Sequence, residues 1–170
     1  MAITKIQSES LNLADTYAFT GTVTGAGGVN TPYFLATKAN TGFTSGVYSK
    51  IAFATEVFDS DNCYDNSTNY RFTPTTAGKY YVFGRIAFDN DSASSRHIAA
   101  IYKNGSEVAR GENQLAGDYF ANNNTSMQVD YIVDMNGSSD YVELYGYSQQ
   151  NGATKNQAGK GAFGAYRIIE

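Results

Sequence analysis

Apolar and polar residues alternate along much of this chain with a period of two. The clearest case is Ser126–Met135, where Met127, Val129, Tyr131, Val133 and Met135 interleave with Gln128, Asp130, Ile132 and Asp134. A period of two gives an extended strand one buried and one mostly wet face, which is the habit of antiparallel sandwiches. The same reading predicts strands at Tyr33–Thr37, Lys50–Phe58, Tyr70–Thr73, Lys79–Asp89, Arg96–Lys103, Ser106–Arg110, Tyr141–Tyr147 and Ala162–Ile169. Between them, Thr41–Ser45, Asp59–Asn69, Asn90–Ser95 and Glu112–Asn124 read as polar loops. No segment repeats apolar residues at i, i+3 and i+4 over several turns, so no helix is predicted.

Turn chemistry supports this punctuation. Pro74 fixes its own φ and Gly78 can take a positive one, so they bracket the turn before the aromatic strand Lys79–Asp89. Asn104-Gly105, between two apolar runs, is the strongest hairpin signal in the chain. Many short strands with regular turns and no helix indicate a sandwich or a jelly roll, and the pattern leaves both open.

Residues 1–29 read differently from 30–170. Tyr17, Phe19, Gly21 and Val23 alternate with Ala18, Thr20, Thr22 and Thr24, and Gly25-Ala26-Gly27-Gly28 follows as a joint. A lone strand cannot bury its apolar side by itself. The expectation is an attachment arm over 1–29 and a single β-domain over 30–170.

Two resemblances add to this. Gly78-Lys79-Tyr80-Tyr81-Val82, Ile101-Tyr102-Lys103-Asn104-Gly105, Asp140-Tyr141-Val142-Glu143-Leu144 and Phe163-Gly164-Ala165-Tyr166-Arg167-Ile168 resemble, in the same order, the motifs of C1q/tumour-necrosis-factor-like head domains. Two serines separate Gly137 from Asp140 where that family usually has Gly-Asp, and Ala165 stands where glycine is common. The resemblance implies an all-β antiparallel jelly roll and a homotrimer. The segment Ser8–Asp15 with Phe19-Thr20-Gly21-Thr22-Val23-Thr24-Gly25 resembles the leader of bacteriophage tail-fibre and other virion proteins. It implies that the arm is held by other virion proteins or by sister subunits.

Composition narrows the partners. The net charge of −4 and the lack of any basic run argue against nucleic acid, whose binding needs clustered Lys and Arg. No apolar run reaches membrane-spanning length, and no secretory leader is read at the N-terminus. The single Cys63 excludes an internal disulfide framework.

Catalytic chemistry finds little support. His97 is the lone histidine and reads as a structural strand residue. Gly42-Phe43-Thr44-Ser45-Gly46 misplaces the serine of a nucleophile elbow, and nearby aspartates should raise the Cys63 pKa. Asp59, Asp61 and Asp65 are spaced like calcium ligands. The EF-hand template fails, however, because Tyr64 stands at its glycine and Tyr70 at its glutamate. No zinc set and no phosphate-binding glycine loop is present, so neither a catalytic residue, a metal site nor a cofactor is expected.

The tyrosines remain. Tyr141, Glu143, Tyr145 and Tyr147 share the face opposite Val142 and Leu144, and an aromatic row facing water suits a trimer contact. Tyr64, Tyr119 and Phe120, in loops rich in Asn and Asp, suit a rim that stacks on and hydrogen-bonds host-surface glycan. The expected protein is a non-enzymatic phage fibre or spike head located in the virion. The alternative is a trimeric capsid-decorating or tail-cementing protein without an external ligand.

Overall fold

The computed structural model describes residues 30–39, 41–89, 95–115, 125–149, 152–154 and 159–168. Residues 1–29, expected to form the arm, lie outside them. Thirteen strands follow in order: β1 (Tyr33–Ala39), β2 (Gly42–Phe43), β3 (Ser49–Lys50), β4 (Phe53–Asp59), β5 (Tyr64–Asp65), β6 (Arg71–Phe72), β7 (Ala77–Asp89), β8 (Ser95–Lys103), β9 (Ser106–Leu115), β10 (Thr125–Asn136), β11 (Val142–Ser148), β12 (Gly152–Thr154) and β13 (Ala162–Arg167). No helix occurs among the described residues.

Every strand pair is antiparallel. In the first sheet β10, β7, β13, β1 and β4 lie side by side, and β12 and β2 continue from the far end of β7. In the second sheet the order is β5-β6-β11-β8-β9, with β3 also paired to β11. The two sheets face each other as a jelly-roll sandwich. The expected strands are present, except that Lys50–Phe58 divides into β3 and β4; two polar stretches hide short strands, β2 in Thr41–Ser45 and β5 in Asp59–Asn69, and β9 runs on to Leu115.

Aromatic rings fill the interior. Phe34 of β1 lies 4.5 Å from Tyr64 and 4.6 Å from Phe72, both on the opposite sheet, and 5.0 Å from Phe163 on its own. Phe72 then reaches Tyr80 at 5.7 Å. A second group stacks Phe43 on Phe88 and Phe88 on His97, which is fully buried. Where the sheets come closest, glycine makes room. A Cβ on Gly84 would lie 2.3 Å from Leu144, and one on Gly111 of β9 would lie 2.1 Å from the Gln128 carbonyl of β10. This second contact seals the edge where the two sheets abut.

Turns are held by side chains. Asn104 and Gly105 both have positive φ (51° and 79°), the left-handed pair that a two-residue hairpin demands. Asn104 Nδ2 donates to Asp140 at 2.7 Å, and its Oδ1 accepts the Tyr141 N–H at 2.9 Å. Lys103 Nζ meets Asp140 at 2.9 Å and donates to the Asp134 carbonyl at 2.6 Å. The two serines before Asp140 are absorbed by Asn136, whose Oδ1 accepts the N–H groups of Ser138, Ser139 and Asp140, each at 3.0 Å. Hydrogen bonds from Asn104 and Lys103 hold the Asp140 carboxyl below the usual carboxylate range.

Three outcomes are expected. Phe34→Ala should cost about 3–5 kcal/mol in denaturant unfolding, because it opens a cavity across both sheets. Asn104→Ala should cost about 2 kcal/mol, since it removes both side-chain bonds and puts at positive φ a residue that tolerates that region less well than asparagine. The third concerns pH. Burial lowers the His97 pKa to about 4, whereas an unfolded histidine titrates near ~6.5. On acidification the unfolded chain takes up the proton first, so stability should fall as pH drops from about 6.5 to about 4. Thermal melting should show this slope, and His97→Phe should flatten it.

Candidate functional site

On the second sheet, β11 brings Tyr141, Glu143, Tyr145 and Tyr147 onto its outer face, opposite buried Val142 and Leu144, as their alternation requires. The row is not an open aromatic surface, however. Glu143 is buried, and its carboxylate meets Lys50 Nζ at 2.6 Å. The three tyrosines are half-buried. Tyr145 packs on Tyr102 at 4.2 Å and Tyr147 on Tyr48 at 5.0 Å. The Arg71 guanidinium covers Tyr141 at 4.4 Å, and that of Arg96 lies 5.9 Å from the Tyr147 ring. Arg110 ties the margin together by donating to the Tyr48 hydroxyl and pairing with Glu107 and Glu112. These side chains satisfy one another within a single chain.

The loop Asp59–Asn69 corrects a second expectation. Tyr64 is not a rim residue: its ring is buried against Phe34, and its hydroxyl donates to the Phe53 carbonyl at 3.0 Å. Burial raises its pKa. No ligand can stack on a ring sandwiched in the core. Tyr119 and Phe120 lie outside the described residues.

The aspartates of this loop are turned onto its own backbone. Asp59 accepts the N–H groups of Tyr64 (2.7 Å) and Asp61 (3.3 Å). Asp65 accepts those of Ser67, Thr68 and Asn69 together with the Asn69 amide, at 2.8–3.0 Å. The bond from Thr68 leads in holding the Asp65 carboxyl well below its ordinary range. Among the described residues no group of three or more His, Cys, Asp or Glu is arranged around a metal position.

Cys63 is buried, 3.6 Å from the Asp61 carbonyl and 3.9 Å from Thr75 Oγ1. Its pKa is raised chiefly by burial, with Asp59 and Asp61 as minor contributors. The sequence reading had the direction right but put the aspartates first. His97, in the interior against Phe88, is a core residue.

Sequence reasoning missed the outer face of the first sheet. Strand register places Ile132, Tyr81, Tyr166 and Tyr33 in one row across β10, β7, β13 and β1. Asp130, Phe83, Gly164, Leu35 and Phe58 form the next row, which extends to β4. Phe83 lies over Gly164, where a Cβ would come within 2.5 Å of its ring. Tyr33, Phe58, Ile132 and Tyr166 are 38–52 % exposed. Concavities line the strip, and two of them hold its exposed residues. One, of about 370 Å³, is lined by Tyr81, Asp130, Tyr131 and Ile132. The other, of about 470 Å³, lies among Asn30, Tyr33, Phe34, Phe58, Phe83, Ala165 and Tyr166. The available signal was in Lys79–Asp89, where Tyr81 and Phe83 make the second face of the strand as apolar as the first.

No protein-family model and no curated protein matches the chain. Solved structures do. Murine APRIL at pH 5.0 superposes with a TM-score of 0.59 at 9 % identity, covering 81 % of this chain and 98 % of that one. Murine APRIL at pH 8.0 gives 0.58 at 8 % identity, with the same coverage. The globular domain of zebrafish complement 1qA gives 0.58 at 12 %, covering 81 % of this chain and 96 % of that one. At such identities the likeness is one of fold, and the chain has the C1q/TNF-like antiparallel jelly roll.

Proposed function

We propose that this protein is a non-enzymatic, homotrimeric head of a bacteriophage virion, a fibre or spike tip that engages the host surface. The observation that carries the trimer is the exposed apolar strip on the first sheet. A monomer that leaves Ile132, Tyr166, Tyr33 and Phe58 in water presents the kind of contiguous patch that marks an interaction surface. The three-fold contact is assigned to its β7–β10 half, around Tyr81 and Ile132. The row Tyr141, Glu143, Tyr145 and Tyr147, expected from the sequence to make this contact, packs within its own chain and is the alternative that Tyr145→Asp tests.

The virion role rests on the leader-like segment Ser8–Gly25 placed ahead of such a head. Host-surface glycan remains the proposed ligand. Tyr64 is removed from the binding set, which leaves Tyr119 and Phe120 of the 112–124 loop. Low charge suits neutral hydroxyl partners, and threefold repetition would raise weak single contacts by about a hundredfold or more.

Light scattering should report a trimer at micromolar concentration. Ile132→Asp should weaken its assembly by at least about 2 kcal/mol, some thirtyfold, while Tyr145→Asp should leave assembly intact. A stable wild-type monomer, or dissociation by Tyr145→Asp alone, would overturn the trimer assignment. Immunolabelling should place the head at an exposed distal position on particles. Labelling buried between capsid or tail subunits would instead favour the cementing role.

A further inference from the structure

We propose that the outer face of the second sheet is a saccharide platform. The half-buried rings of Tyr48, Tyr102, Tyr145 and Tyr147 stack on a neutral sugar chain, and the hydroxyls of the row hydrogen-bond it. The first observation behind this is how the rings are held. Tyr147 packs on Tyr48 at 5.0 Å, Tyr48 on Tyr102 at 6.4 Å and Tyr102 on Tyr145 at 4.2 Å. The ladder pairs Tyr145 with Ala100 and Tyr147 with Ile98, so these two share the face with the tyrosines. Both are fully buried and give the rings an apolar floor. A row seated in this way is ordered before a ligand arrives, so binding removes little side-chain freedom.

The second is charge. The ionised groups around the four rings are already matched within the chain: Lys50 with Glu143 at 2.6 Å, Arg96 with Glu112 at 2.8 Å and Arg110 with Glu107 at 2.8 Å. Arg71 lies over the Tyr141 ring. An ionic partner would have to break these pairs or set like charge against like, and a neutral one would not.

The third is hydrogen bonding. The Tyr48 hydroxyl accepts from Arg110 at 3.3 Å. Those of Tyr102, Tyr145 and Tyr147 make no hydrogen bond to a described residue. Among the described residues the buried side-chain polar atom without a partner is Arg167 Nε, so these hydroxyls reach water. A phenol can donate to and accept from a sugar hydroxyl while its ring meets the apolar C–H side of a pyranose. Rings with open hydroxyls and no unmatched charge select that chemistry over a phosphate or an acidic peptide. The face lies on the opposite side of the sandwich from the strip assigned to the three-fold contact, so assembly leaves it open in each copy. The inference rests on the glycan reading above, to which it gives a site on a described sheet, and it does not need the virion role.

The chain contains no tryptophan, so its near-ultraviolet difference spectrum reports on tyrosine directly. The full-length protein is titrated with cellohexaose, maltohexaose and mannohexaose, and with hexagalacturonate as the anionic control. At least one neutral hexamer should perturb the tyrosine spectrum saturably, with an affinity that does not change from low to high salt. Tyr147→Ser should weaken that binding about tenfold. Tyr102→Phe and Tyr145→Phe, which keep the ring and lose the hydroxyl, should each weaken it several-fold with the melting temperature unchanged. Binding kept in all three variants but lost in Tyr119→Ser would overturn the platform and leave the glycan reading standing on the 112–124 loop. No binding of any neutral hexamer to the unsubstituted chain would overturn both. Preferential binding of hexagalacturonate that weakens with salt would overturn the neutral assignment, and dissociation of the trimer by Tyr145→Asp would give the face to a sister subunit instead.

Discussion

The packing of Phe34 against three rings is the constraint on which the sandwich depends. Its ring joins β1 to β5 and β6 across the interior and to β13 within its own sheet. Aromatic pairs at such distances each contribute about 0.5–1.5 kcal/mol beyond the apolar area they bury. The partners are also remote in sequence, so none can take its place until the chain has closed on itself. The two-residue strands β5 and β6 depend on this directly. Each has too few ladder bonds to persist alone, and Tyr64 and Phe72 anchor them from below. The short second-sheet strands are in this sense a consequence of a residue in the first.

The hairpin at Asn104 and the turn at Asn136–Asp140 solve a different problem. They bring two loops at one end of the sandwich into a single hydrogen-bonded unit, in which Asp140 is shared by Asn104, Lys103 and the Asn136 N–H. This accounts physically for two of the sequence motifs. Lys103-Asn104-Gly105 and Asp140-Tyr141 are the two halves of one lock. The inserted serines do not disturb it, because Asn136 takes up the extra backbone N–H groups.

Long strands were legible because period two is a local signal: β7, β8, β10 and β13 lie within a few residues of their expected ends. Two- and three-residue strands have no period to read, so β2, β5 and β12 became visible only through their partners. Face was also legible on β11, but burial was not. Parity put Glu143 outside, and Lys50 of β3, paired in from far away in sequence, then covered it. Tyr64 stands in a stretch of polar residues whose composition says loop, and only the stacking partner Phe34 draws it inward. The strip on the first sheet was hidden for the opposite reason. Tyr33, Phe58, Tyr81 and Tyr166 are unremarkable singly, and the register alone makes them neighbours.

The close approach at Gly111 bears on how the protein can go wrong. Where β9 meets β10, the Gln128 carbonyl occupies the space of any side chain at that position, so this seam is shut to a foreign strand. Growth by strand addition is then directional and can start at β4 on the far side of the first sheet. That edge carries exposed Val57 and Phe58 next to exposed Glu56. Glu56, with Asp59 at the end of the strand, guards that edge against runaway pairing. Neutralising Glu56 would leave Asp59 alone to keep that edge from joining a second sheet.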